Sequence, residues 1–225
     1  MWSKHARWPK GIKDSILRSP DSATVGRMGY FKFMNRTTLL LVTLFVEGGL
    51  YVAGLFLMGG SGAVRAKFSL SWSATFYALL LSLPMFTTLF LAMRSKWKPL
   101  SELRKELEEK VVPIFANSNI VDLVLIALLA GAGEELFFRG WLQDALANRL
   151  GLWLGILIVS IIFGFAHYLS LTYFIYAFIT GIYLGVIYHL TGNLYVVMVI
   201  HGLYDFIALL ILVRQGKAKE ANPKI

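Results

Sequence analysis

The sequence has no cysteine, which excludes disulfide bridges, thiol nucleophiles and thiolate metal sites. Charge is almost as scarce. Only 16% of the 225 residues are Asp, Glu, Lys or Arg, and the acidic ones are outnumbered, 13 against 22. Internal repeats and low-complexity tracts are missing as well. No cleavable signal peptide is expected, because the first apolar run starts only near Thr38, behind a long basic segment. What fills the chain instead is apolar side chains, 57% of residues, with a mean hydropathy of +0.64. A soluble domain of this size is about 45–50% apolar, so the chain reads as an integral, multi-pass membrane protein. The net charge of +9 does not point to nucleic acid. Basic residues flanking apolar spans are the ordinary mark of loops that face anionic lipid.

A hydrocarbon layer of ~30 Å takes about 20 apolar residues as helix. Six spans are expected on that measure, at roughly 38–59, 72–93, 119–147, 152–168, 171–190 and 193–213. The fold class is therefore all-α, a polytopic transmembrane helix bundle of about six spans. The end of the third, "WLQDALANRLG", is amphipathic and is expected to leave the membrane or lie on its surface. The organisation that follows is a basic tail (1–37), two N-terminal spans (38–95) and an amphipathic connecting helix (96–118). A four-span core (119–213) and a second basic tail (214–225) complete it. Trp72, Trp97, Trp141 and Trp153 fall near span ends, as an aromatic belt would. With an even number of spans, the two tails and the 94–110 loop share one side and carry eighteen Lys and Arg. The opposite side carries three: Arg65, Lys67 and Arg149. That imbalance places both termini in the cytoplasm.

Against this background the stretch "LLAGAGEELFFRGWL" puts Glu134, Glu135 and Arg139 inside an apolar run. Charges at mid-bilayer cost roughly 2.5–3.5 kcal/mol each on insertion scales, so they are functional candidates by default. Glu135 and Arg139 are four apart and share a helix face, a good spacing for an ion pair. Glu134 is five residues from Arg139 and is left without a partner in its own helix. A carboxylate without a counter-charge in a water-poor place is a stronger base than one in water, which suits a general base. The competing reading is a structural ion-pair knot of all three, since buried pairs often only orient helices.

Two further spans carry histidine. "IIFGFAHYL" places Phe163 and His167 on one face, and "IHGLYDF" does the same for His201 and Asp205. The midpoint of positions 134 and 167 falls in "NRLGLW", the hairpin between their spans, so both lie ~24 Å from that turn at 1.5 Å per residue. They are level. His201 lies ~14 Å from its own turn at Thr191–Gly192, and the three levels meet if the first hairpin projects further than the second. Glu47, beside two glycines in the first span, is expected to be a structural or cavity-lining carboxylate rather than a catalytic one. Gly131 and Gly133 would let a neighbouring helix or a substrate backbone approach.

"EELFFR", "FGFAH" and "HGLYD" fit the patterns EExxxR, FxxxH and HxxxN/D in order on successive spans. Over residues 119 to 210 the chain resembles the CPBP family of intramembrane proteases, which includes the CAAX prenyl endopeptidases and the abortive-infection-like proteins. The resemblance implies an endopeptidase acting on a membrane-associated peptide or protein. Glu134 and His167 would activate water, His201 and Asp205 would stabilise the oxyanion, and Glu135 and Arg139, with Phe163, would support the site. One position departs from the prenyl endopeptidases, where asparagine is typical and this chain has Asp205. An ionised aspartate cannot donate a hydrogen bond, so Asp205 is protonated, orients His201, or binds a metal.

No cofactor is favoured by the resemblance. Zinc is the alternative, with Glu134, His167 and His201 as three ligands around an open fourth position. HExxH, with both histidines on one helix, is not present. The competing function is a non-enzymatic immunity or scaffold protein that keeps the fold, and a proton-relay transporter is disfavoured by the missing repeat symmetry. A bacterial cell membrane is the expected location.

Overall fold

The computed structural model describes residues 35–221, with side chains through 218. Most of the basic tail assigned to 1–37, and the last four residues of the one assigned to 214–225, lie outside the described residues. Everything described is helix or turn, and no strand occurs among the described residues. Helix α1 (Arg36–Leu57) begins on Asn35, whose side chain accepts a hydrogen bond from the Thr38 amide at 2.8 Å. A short α2 (Ser61–Ala66) leads to α3 (Trp72–Arg94), capped by Ser71. Then come α4 (Lys98–Glu106), a π-helical turn (Leu107–Val111) and α5 (Val112–Phe115).

Helix α6 (Ile120–Glu135) opens with a reciprocal cap between Asn119 and Asp122. Arg36 also grips Asp122, donating from Nε at 2.7 Å and from Nη2 at 2.8 Å, which ties the start of α6 to the start of α1. A second π-helical segment (Leu136–Gln143) and α7 (Asp144–Leu150) continue α6. The chain turns at Gly151, whose φ of 88° suits a residue without Cβ, into α8 (Leu152–Ala166). Helices α9 (Leu171–Thr191) and α10 (Leu194–Ala221) follow, joined at Gly192 with φ 59°.

The six apolar helices stand where the hydropathy pattern places them. Four of them, α1, α3, α9 and α10, are long and apolar enough to cross a membrane. The α4–α5 and α6–α7 stretches make a bent pair, at 109°, that together pass the same test. Helix α8 is shorter than expected, 15 residues, or ~22 Å at 1.5 Å per residue against a ~30 Å hydrocarbon layer. The basic C-terminal segment is not separate, because α10 runs on unbroken to Ala221. Apolar side chains face outward as well as inward. Phe45 and Phe56 on α1 are more than 80% exposed, a pattern that lipid rather than water accounts for.

Inside, α3, α9 and α10 bury Ala78, Leu184, Val197 and Ile200 together with Leu136 of the π segment. Helix α6 packs between α1 and α10, and two glycines set the spacing. A Cβ at Gly131 would stand 2.7 Å from the Met198 carbonyl oxygen, and one at Gly133 would overlap the Glu47 carbonyl. Both glycines therefore serve helix contact. Gly133→Ala is expected to force α1 away from α6 and to destabilise by about 1–3 kcal/mol, the usual range for overpacking. The thermal midpoint in detergent reads this directly, and an unchanged midpoint would contradict the close backbone contact.

Candidate functional site

The polar groups form two layers at the end of α6. In the inner layer Glu135 and Arg139 are completely buried. Arg139 Nη1 donates to Glu135 Oε1 at 3.0 Å, its Nη2 donates to the Gly181 carbonyl at 3.3 Å, and its guanidinium lies 4.5 Å above the Phe163 ring. The same Glu135 oxygen is 2.7 Å from His201 Nδ1, which donates to it. One carboxylate thus joins α6 to α10, while its arginine reaches α8 and α9. The pair forms although Arg139 sits in π-helix rather than regular α-helix. Such bulges concentrate at functional sites.

In the outer layer Glu134 is 7% exposed, and its Oε2 has no hydrogen-bond partner. Facing it at 3.6 Å is His167 Nε2. His167 is the residue that closes α8, and its Nδ1 is 2.9 Å from the Phe163 carbonyl. A carbonyl only accepts, so Nδ1 carries the hydrogen and Nε2 is turned to the carboxylate. The Phe163 ring is 4.4 Å from the His167 ring and 5.9 Å from that of His201, and it separates the two layers.

A cavity of about 270 Å³ opens onto this outer layer. Glu47, Glu134, His167, Tyr173, Tyr204 and Asp205 are among the residues that line it, as are Leu100, Leu103 and Arg104 of α4 and Phe115 of α5. The amphipathic connecting segment therefore contributes apolar side chains to the cavity wall. Its charged face is laced by pairs such as Lys98–Glu102 at 3.8 Å and Glu106–Lys110 at 3.6 Å.

Glu134, His167 and Asp205 meet at this cavity. His201 does not line it. It is 3% exposed and stands behind Asp205, with Nε2 3.4 Å from Asp205 Oδ2. Glu135, Arg139 and Phe163 form the layer beneath. The trio Glu134, His167 and His201 is not gathered as metal ligands are, and among the described residues no three His, Asp or Glu side chains are. One ring nitrogen of His201 donates to Glu135 and the other faces Asp205.

Sequence reasoning gave no role to Tyr173 and Tyr204. Tyr204 is one position before Asp205, within the HGLYD motif, and donates to or accepts from Tyr176 at 2.8 Å. Nothing in the spacing marks Tyr173, which reaches the cavity from the first turn of α9.

Buried acids and histidines gathered on apolar helices define an integral membrane protein with a polar site enclosed among its spans. Residues 116–207, about two fifths of the chain, match the family described as Type II CAAX prenyl endopeptidase Rce1-like. The match contains Glu134, Glu135, Arg139, Phe163, His167, His201 and Asp205, and leaves out α1 to α5 with Glu47. The uncharacterized protein YpbD of Bacillus subtilis (strain 168) is 35% identical over 95 residues, covering 41% of this chain and 46% of that protein. The chain thus aligns with about half the length of that relative. No solved structure matches it.

Proposed function

We propose that the chain is an intramembrane endopeptidase that hydrolyses a peptide bond in a membrane-associated protein or peptide. The observation that carries this reading is the approach of Glu134 Oε2 and His167 Nε2, 3.6 Å apart on a cavity wall, with the histidine's other nitrogen tied to a backbone carbonyl. A water hydrogen-bonded to both groups would give its proton to Glu134 as its oxygen attacks the amide carbon. His201 and Asp205 would stabilise the oxyanion. A proton shared between His201 Nε2 and Asp205 would hydrogen-bond to the carbonyl oxygen through Asp205, which alone of the two lines the cavity, and would return to the pair as the carbonyl re-forms. Glu135 and Arg139 hold His201 in place and take no part in proton transfer.

The family match supports a peptidase. The mechanism drawn from these residues needs no metal. The charge imbalance supports cytoplasmic termini, and the Bacillus subtilis relative supports a bacterial cell membrane. The substrate would meet Leu100 and Leu103 of α4 and Phe115 of α5 on the cavity wall, side chains that suit a lipid-associated peptide.

The test is purified protein in liposomes with a quenched-fluorescence peptide library, presented with and without a C-terminal prenyl group. Cleavage is expected, and it is expected to continue undiminished after treatment with a strong chelator. Cleavage that stops with chelator and returns with zinc would replace this mechanism by a metal one. No cleavage of any peptide would favour a non-enzymatic immunity or scaffold role.

A further inference from the structure

Glu47 stands outside the family match, yet it is placed with the residues that match. It is the twelfth of the 22 residues of α1, so a carboxyl group sits at the middle of a span, where ionisable side chains are retained for function. Its backbone carbonyl packs directly on Gly133, the residue before Glu134. Its side chain opens into the same cavity as Glu134, His167 and Asp205. Glu47 Oε2 is buried with no hydrogen-bond partner, and none of the ion pairs among the described residues includes it. Glu135, the remaining acid nearby, is already engaged by Arg139 and His201.

Resting on the hydrolytic reading above, we infer that Glu47 is a second catalytic carboxyl group, the one that delivers a proton to the leaving amine. Two carboxyl groups facing one water-poor cavity are the arrangement in which one acts as base while the other carries a proton. The proton balance closes. As the water oxygen bonds to the amide carbon, one water proton passes to the Glu134 carboxylate. As the carbon–nitrogen bond breaks, the Glu47 carboxyl proton passes to nitrogen. The proton on Glu134 then moves to the Glu47 carboxylate, which restores both groups. The net change is amide plus water to acid plus amine.

The test compares two probes: the library peptide that the wild type cleaves fastest, and the same peptide with its scissile amide replaced by a thioester. A thiolate leaves without needing a proton. Glu47→Gln is expected to lower kcat on the amide about 10²-fold, to leave KM nearly unchanged, and to spare the thioester. Glu47→Asp, which keeps the acid, is expected to recover part of the amide rate. Glu134→Gln is expected to stop both probes, which separates the two roles. If Glu47→Gln slows both probes equally, by misfolding or otherwise, or slows neither, the inference is overturned while the assignment of Glu134 stands. A wild type that cleaves neither probe overturns the hydrolytic reading and this one with it.

Discussion

Glu134→Gln in liposomes is expected to lower peptide cleavage by about 10²–10⁴-fold, the range that a positioned general base supplies, with little change in KM. The amide keeps the shape of the side chain and its place on the cavity wall but cannot take a proton from water. His167→Ala is expected to fall in the same range. Its ring is aimed by the 2.9 Å bond from Nδ1 to the Phe163 carbonyl, which turns Nε2 to the Glu134 carboxylate 3.6 Å away. The Glu134→Gln loss should come without a lower thermal midpoint. Glu134 has no hydrogen-bond partner on Oε2 to lose, and the amide puts a neutral group of the same shape where the carboxylate would bury a charge. A slow but well-folded Glu134→Gln is therefore the pattern that distinguishes a working carboxylate from a structural one.

Arg139→Ala is expected to do the reverse and damage the fold first. The substitution leaves Glu135 as a buried charge with His201 as its remaining partner, and removing one member of a buried pair costs about 3–5 kcal/mol. It also takes away the donor to the Gly181 carbonyl and the cation stacked 4.5 Å over Phe163, so α8 and α9 lose their common tie to α6. Arg139→Lys should recover little of this, because an ammonium can neither stack as a plane nor span Glu135 Oε1 and the Gly181 carbonyl as the guanidinium does. The expected result is a large drop in thermal midpoint in detergent for both variants. A midpoint at the wild-type value would mean that the inner layer does not hold the helices together.

Much of this was legible in the sequence, for identifiable reasons. The lengths of the apolar runs located the six helices, and glycine marked the hairpins at Gly151 and Gly192. Counting residues from the first of these turns set Glu134 level with His167, and the two do face each other. Helical spacing paired Glu135 with Arg139 and His201 with Asp205, and both pairs form.

What escaped was whatever depends on contacts between helices distant in sequence. The π-helical segment over Leu136–Gln143 has no signature in residue type. Because the close crossing of α6 and α10 at Gly131 brings His201 onto Glu135, the histidine lies behind the cavity wall instead of on it. Glu47 lay 87 positions from Glu134 with no motif around it. The contact of its backbone with Gly133 and the place of its side chain on the cavity wall show that the first span contributes to the site. The amphipathic segment 96–118 announced a connecting helix, and its alternation of charge could not reveal that Leu100, Leu103 and Phe115 line the cavity.

The central claim is that Glu134 and His167 act as one unit on one water molecule. The most direct measurement is the kcat of the double variant Glu134→Gln/His167→Ala beside the two single variants, on one peptide in liposomes. Groups that work as a unit give grossly non-additive losses, so the double variant is predicted to be no slower than the slower single one. A double variant in which the two losses multiply would show that the two residues act independently, and would contradict the account.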